Sequence, residues 1–487
     1  MDKLQLQNIF KSSYNTQTWQ QVLHTIFGAT ELRREPKSLD NEGNENVEGF
    51  ELGRIVTPDH YEIGLYEFEI KAKHKLAMNR VGLRGLVKSF LKFKVEAALV
   101  VYYDQNEWRL SFICDLRDEK TAPKRFTYLF GSNTETYRTP IERFLELAKH
   151  KINFAAIHDA FSVEKLSKEF FKDYKNQYDK FLKYIGADKK SNRDYVKKLL
   201  GRLVFLQFLQ KKGWMGVPAS NAVGDWNGGD KNYLLNLFRN SEYKDKFLER
   251  VLETLFFDTL NNERIHDVAS PILGKNIRIP YLNGGLFEPD STDRKATNFP
   301  ADYFKELLEF FGQYNFTIDE NDPQDAEVGI DPEMLGHIFE NLLEDNKDKG
   351  AFYTPKEIVR YMCQQSLIEY LQTKLGKHEE IEEFIQSGTI TGRNDRKNFI
   401  VANAKVIEHE LDSVKICDPA IGSGAFPMGI LSEIFKAKMA LNLTLDPAEV
   451  KKKIIQNSIY GIDIEQGAVD IARLRFWLSL VVDEEIP

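Results

Sequence analysis

Residue types that can do chemistry gather in two places along the chain. The first is KICDPAIGSGAFPMGIL, residues 415–431, where Asp418 and then Gly422 and Gly424 lie between a short apolar run and a segment of helical periodicity. Glycines at a strand-to-helix bend take backbone angles closed to other residues and let a ligand approach the main chain, while the helix start offers unpaired N–H donors. Pro427 is tolerated in a first turn, where its missing N–H removes no bond. A second apolar strand is expected at 459–464, with Asp463 at its tip and a further helix after it, in IYGIDIEQGAVDIARLRFWLSL.

An acid at the tip of a second strand is where a Rossmann-like sheet hydrogen-bonds ribose hydroxyls. The glycine spacing is not the dinucleotide pattern G-x-G-x-x-G, and a carboxylate ahead of the glycines repels phosphate and attracts a cationic or amine-bearing ligand. S-Adenosylmethionine, with its sulfonium and α-amino groups, meets that demand. Turn chemistry alone is the structural alternative for the glycine pair.

The second place is PDHYEIGLYEFEIK, residues 58–71. Asp59 and Glu69 are hard oxygen ligands suited to Mg²⁺. Lys71, two residues beyond Glu69 on the same strand face, suits orienting or activating an attacking water. Period-two alternation also brings Glu67 to that side, either as a third carboxylate or, with the register shifted by two, as the true partner. The competing reading is a solvated face of an edge strand. From Lys71 to Lys94 the chain carries eight Lys and Arg and no acid. Within it Arg80, Arg84, Lys88 and Lys92 recur every four residues, one stripe of an amphipathic helix whose Leu83, Leu86, Val87 and Phe90 face inward. Such a stripe is a phosphate track for double-stranded DNA, or else simply the wet side of the helix.

The elements that must position these residues read as follows. Short β runs, ELGRIV, YEIGLYEFEIK, AALVVYYD, EWRLSFIC and RFTYLFG, fill residues 50–130 around one helical stretch at 79–93, an α/β pattern with a mixed sheet. From 151 to 325 the periodicity is helical, as in SVEKLSKEFFKDYKNQYDKFLKYI and DYVKKLLGRLVFLQFLQKKGW, with glycine-bearing turns at VGDWNGGDKN and YLNGGLFEPD. The expected architecture is α/β and multidomain, with boundaries at 1–150, 151–325 and 326–487.

With 487 residues and 56.4 kDa the chain exceeds one ordinary core. No apolar run reaches the roughly 20 residues of a spanning helix, and the N-terminal MDKLQLQNIF lacks a signal-peptide core. Three scattered cysteines, Cys114, Cys363 and Cys417, argue against a disulfide framework or a thiolate zinc site and fit a reducing, cytoplasmic setting. The net charge of −8 does not by itself mark a nucleic-acid binder, so local patches such as 71–94 matter more than the sum.

DPAIGSGAF and YGIDI resemble the first two motifs of DNA adenine-N6 methyltransferases, and GAFYTPKEIVRYM, residues 350–362, resembles the motif that precedes them. The resemblance implies S-adenosylmethionine bound by Tyr353, Thr354, Pro355, Asp418, Ala420, Gly422, Gly424 and Asp463. Thr354-Pro355-Lys356-Glu357 reads independently as a capping box with proline at the first helical position. IPYLNGGLFEP (279–289) and IDPEMLGHIFENLL (330–343) resemble segments of single-chain type IIG restriction-modification enzymes, in which a PD-(D/E)XK nuclease, a helical connector and the methyltransferase are fused. Residues 58–71 then resemble the nuclease motif, with Asp59 and Glu69 on Mg²⁺ and Lys71 beside them. Asn283 and His337 read as a turn residue and a helix-packing histidine.

The (N/D/S)PP(Y/F) motif that holds the target amine in such methyltransferases occurs nowhere in the sequence; NDPQ at 321–324 is the nearest lookalike. The expectation is therefore the N-terminal portion of a bifunctional enzyme: a PD-(D/E)XK-like domain, a helical connector and a partial Rossmann-like methyltransferase domain. Methylation is expected to be absent. An unpaired apolar sheet edge would favour self-association or a missing complementary piece. The rival expectations are a modification methyltransferase with an inactive nuclease domain, and a noncatalytic DNA- or cofactor-binding scaffold.

Overall fold

Alternating apolar residues between 47 and 131 form the strands that their pattern demands. The computed structural model describes all residues except 40–46, 72–94, 115–123, 132–136, 188, 283–284, 292, 294–296, 319, 321–324, 342–353, 392, 394, 396 and 485. The chain divides into two compact units. One comprises Met1–Phe170, Gly312–Asn315 and Asn321–Ile330, and the other Phe171–Phe311, Phe316–Glu320 and Asp331–Pro487.

The first unit is built on a seven-stranded sheet of β1 (Glu31–Ser38), β2 (Val47–Val56), β3 (Glu62–Ile70), β4 (Ala97–Tyr103), β5 (Glu107–Cys114), β6 (Lys124–Gly131) and β7 (Asp325–Glu327), in that order across the sheet. β3 pairs with β4, and β6 with β7, in parallel; the other neighbours are antiparallel, so the sheet is mixed as expected. Two strands lack a sequence signal. β1, ELRREPKS, is charged and contains proline, residue types depleted from strands in general but tolerated on an edge, which it occupies. β7, Asp-Ala-Glu, is too short for any alternation to show.

The two faces of this sheet differ. On one, Trp108 and Phe130 pack under α1 (Lys3–Lys11), α2 (Thr16–Thr25) and α3 (Arg138–Leu147) through rings of Phe10, Trp19 and Phe144. Phe10 stacks on Phe130 at 4.2 Å, and this face also carries Glu67 and Glu69 by the strand alternation. On the other, Val47, Phe68, Ala98, Val100 and Tyr102 form a separate apolar cluster. The short helix α4 (Phe154–Ala160) and the long α5 (Val163–Ile185) follow α3 in the chain.

In the second unit α6 (Lys190–Lys212) is buried along most of its length from Tyr195 to Gln210, and ends at Gly213 in the left-handed conformation. Its Arg202, 2% exposed, is held by Asp293 at 2.7 Å. Further elements of this unit include α7 (Glu333–Asn341), α8 (Lys356–Leu375), β8 (Ile416–Asp418), α9 (Ala425–Leu441), α10 (Pro447–Ser458), β9 (Ile459–Gly461) and α11 (Gln466–Val481). The boundary expected at 325–326 falls instead inside β7, because residues 325–327 pair with β6 in the first unit. That pairing is long-range, so no local composition change marks it. Among the described residues no helix is long and apolar enough to cross a membrane.

Gly53 shows how closely the edge of the sheet is built. Its φ of +142° lies where side chains strain the backbone, and a Cβ there would collide with the Glu31 carbonyl oxygen of the neighbouring strand. Gly53→Ala should destabilise the first unit by about 2 kcal/mol or more, read as a lowered melting temperature; an unchanged melt would show that β1 moves aside freely.

Candidate cofactor site

Three-residue strands β8 and β9 pair in parallel, Ile416 with Ile459, Cys417 with Tyr460 and Asp418 with Gly461. The second strand is shorter than expected from the apolar run at 459–464, but the chain beyond it continues to bond. Ile462 N donates to Asp418 O, and Ile421 N to Ile462 O, both at 3.0 Å. This pairing brings the two acids to one corner with the glycine loop. Asp418 accepts from its own Ala420 N–H at 3.0 Å. The Asp463 carboxylate accepts from Gly422 N through one oxygen and Glu465 N through the other, each at 2.9 Å.

The loop between them takes the conformation its glycines permit. Gly422 and Gly424 have φ of +53° and +89°, and Gly424 is the residue that opens α9. A Cβ on Gly424 would also press on Ala472 of α11 at 3.1 Å, so the position has both a conformational and a packing reason for glycine. Pro427 sits in the first turn of α9, as expected. Asp418 and Asp463 are half-buried, and Ala420, Tyr460, Ile462 and Ile464 are exposed, so the corner opens to solvent. Each carboxylate retains lone pairs beyond those bonded to the loop. Half-exposed acids beside a left-handed turn suit a ligand with hydroxyls and a positive charge.

The segment that precedes the corner differs from its sequence reading. Pro355 is the cap of α8 rather than its first residue, and no side chain caps that helix, so the expected capping box is absent. Pro355 O accepts from Ile358 N and Val359 N at 3.0 and 3.1 Å, while the Lys356 ammonium turns away to Asp331 at 2.9 Å and Glu333 at 2.6 Å. Burial works against the Lys356 charge, but these two carboxylates outweigh it and hold its pKa above the usual lysine value. α8 packs its Val359 and Cys363 on Gly429 of α9, where a Cβ would stand 2.6 Å from Val359. Thr354 and Pro355 are described; Tyr353 and Asn283 lie outside the described residues, as do Arg80, Arg84, Lys88 and Lys92.

The metal site expected at residues 59–71 does not assemble. Asp59 lies in the turn joining β2 to β3, where the Thr57 hydroxyl and the Phe154 N–H, 3.4 Å away, keep its carboxyl below the ordinary range. Glu69 is near the far end of β3, paired with Glu48. At about 3.3 Å per residue, the strand from Glu62 to Glu69 alone spans roughly 23 Å, and Asp59 lies beyond its start. Glu67 does share the face of Glu69 but is buried and accepts from Tyr14 at 2.6 Å and Thr16 at 3.0 Å, tying α2 to the sheet. Burial raises its pKa, against the pull of those two donors. Lys71 is paired with Glu48. Mg²⁺ demands several oxygens at one point, and Asp59, Glu69 and Lys71 do not fit it. Among the described residues no group of three His, Cys, Asp or Glu side chains is placed to hold a metal.

Residues 394–484 match the family described as MmeI, DNA-methyltransferase domain. A protein of Methanocaldococcus jannaschii named "Putative type II restriction enzyme and methyltransferase RM.MjaORFECS2P" is 28% identical over 372 residues, 71% of this chain and 30% of that protein. The chain thus spans under a third of that relative's length. A solved structure of the type IIL restriction-modification enzyme MmeI in complex with DNA is 18% identical, with a TM-score of 0.40 over 65% of this chain and 36% of that one. The chain carries a segment similar to a DNA-methyltransferase domain and has a relative named for restriction and methylation.

His337 of α7 is half-buried. Burial lowers its pKa to about 4 from 6.5, with Asp331 pulling the other way and the Lys356 and Arg475 charges adding to the fall. A depressed histidine binds its proton only after unfolding, so its contribution is present above pH 6.5 and is lost as pH falls toward about 4. His337→Gln should therefore flatten the fall in melting temperature over that window; an identical slope in both proteins would show that His337 is not the group responsible.

Proposed function

We propose that the chain is the cofactor-binding part of a restriction-modification enzyme and that its corner at 418–424 and 463 binds S-adenosylmethionine. One observation carries this reading: the parallel pairing of β8 with β9, which places Asp463 against the N–H of Gly422 and leaves both acids half-exposed at the mouth. Asp463 is in position to take ribose hydroxyls on its remaining lone pairs. Asp418, at the loop's entry, supplies the negative charge that the α-amino and sulfonium groups require. Gly422, where a Cβ would meet nothing within 4 Å, keeps the main chain free of a side chain where the ligand would lie. The match of residues 394–484 to a DNA-methyltransferase family supports the same assignment independently. S-Adenosylmethionine, when bound, supplies the methyl group, and adenine N6 on double-stranded DNA is the acceptor that the DPAIGSGAF and YGIDI resemblance favours.

The name of the M. jannaschii relative, whose similarity extends over more of this chain than residues 326–487, supports a restriction component as well. The geometry of the first unit favours the variant reading in which Asp59, Glu69 and Lys71 are not its cutting site, since they sit at opposite ends of a hairpin.

Isothermal titration with S-adenosylmethionine tests the first claim. The wild-type chain should bind, and Asp418→Ala and Asp463→Ala should each weaken binding at least about tenfold, the loss of a charge-assisted contact. Unchanged affinity in both would overturn the assignment. With no (N/D/S)PP(Y/F) stretch, the 487 residues alone should transfer no methyl group to DNA. For the first unit, any Mg²⁺-dependent plasmid cleavage should survive Asp59→Ala; its loss would restore Asp59 to a catalytic role.

A further inference from the structure

Two arginines interrupt the apolar run IARLRFWLSL of α11. Arg473 is exposed, but Arg475 is 2% exposed. A guanidinium that far from water must be fully satisfied to be tolerated. Its Nε and Nη2 donate to the two oxygens of Glu320 at 2.6 and 2.9 Å, a fork on a carboxylate 155 positions earlier in the chain. The remaining nitrogen, Nη1, donates to the backbone oxygen of Ser423 at 2.9 Å. Ser423 is the buried residue between Gly422 and Gly424.

The same residue is approached from another side by α7. A Cβ on Gly336 would stand 2.6 Å from the Ser423 hydroxyl and 3.5 Å from Arg475. Only a glycine lets α7 lie this close. The loop is thus held at three residues: Ala420 by Asp418, Gly422 by Asp463, and Ser423 by Arg475 with Gly336 behind it. Gly336, and Glu320 that orients Arg475, both lie well outside the matched segment at 394–484.

We propose that Arg475 is the positioning residue of the cofactor loop, oriented by Glu320, and that by fixing the Ser423 carbonyl it holds the left-handed turn of the loop in the shape that keeps Asp418 and Asp463 at the mouth of the corner. The proposal rests on the reading of the corner as an S-adenosylmethionine site and adds to it the part of the chain that sets the loop's geometry. Arginine is the residue the arrangement requires. Its planar fork binds both oxygens of Glu320 and keeps a further donor for Ser423, whereas the point charge of lysine cannot span both partners in that geometry. Arg475 touches neither the mouth of the corner nor the acids in it, so it acts on the cofactor only through the loop.

The test is titration of S-adenosylmethionine into the full chain as wild type, Arg475→Lys and Gly336→Ala, with melting of each ligand-free protein alongside. Arg475→Lys keeps the charge beside Glu320. A purely stabilising ion pair would therefore give near wild-type affinity in the folded variant, and that result overturns the proposal. The expected result is a folded Arg475→Lys that binds at least about tenfold more weakly, the equivalent of one lost charge-assisted hydrogen bond. Gly336→Ala, which pushes on Ser423 without touching any charge, should weaken binding in the same direction. If neither variant folds, hydrogen exchange on the wild type decides. S-Adenosylmethionine should slow exchange in 418–424 and also in 471–479, and protection confined to the first segment overturns the proposal. A wild-type chain that binds no S-adenosylmethionine removes the cofactor reading itself, a result distinct from a wild type that binds and a lysine variant that binds equally.

Discussion

The parallel pairing of two three-residue strands is the constraint on which the second unit's chemistry depends. Each strand alone is too short to persist, and parallel neighbours need a connection long enough to cross back over the sheet. Here α9 and α10 provide it, burying Ile430, Leu431, Ile434, Val450 and Ile454 in the same apolar cluster as Val359, Leu367 and Leu371 of α8. The apolar core therefore holds the strands, and the strands hold the acids. Without that pairing, Asp463 would be a surface acid 45 residues from its counterpart rather than a partner of the Gly422 N–H.

Charge is distributed around this corner according to dielectric. Lys356 with Asp331 and Glu333, and Arg475 with Glu320, lie where water is excluded, and each cation there is matched by carboxylates at hydrogen-bonding distance. Such pairs add little net stability over apolar packing, but they fix geometry, because removing one partner strands the other. By contrast Asp418 and Asp463 are half-exposed and bonded only to main-chain N–H groups. They can exchange part of their environment for a ligand at small penalty. The buried pairs hold the frame while the half-exposed acids remain available.

In the first unit the alternation that made residues 58–71 look like a metal site is kept, and the hairpin turn separates its acids. Period two puts Glu67 and Glu69 on one face, as read from the sequence, and the structure keeps them there. What the pattern could not carry is where the hairpin turns. The turn falls at residues 57–61, with Asp59 inside it, so the acid that begins the motif and the acid that ends it stand at opposite ends of β3. Glu67, the carboxylate the motif left ambiguous, is taken up by Tyr14 and Thr16 as a tie between α2 and the sheet.

Local chemistry made much of this protein legible in advance. The apolar alternation of β2 to β6, the amphipathic periods of α5 and α6, and the strand, glycine bend and helix around Asp418 and Gly424 all follow from the side chains of contiguous residues. The charged edge strand β1, the short β7 that returns from residue 325 to the first unit, the cap at Pro355 and the burial of Arg475 do not. Each depends on a partner distant in sequence: an edge with no further neighbour, a strand to pair with, two acids that draw Lys356 away, and Glu320 with the Ser423 carbonyl. Residue type and spacing determine which contacts a segment can make. Only the folded chain decides which of them are within hydrogen-bonding reach, because the strength of such contacts falls away within a few ångströms.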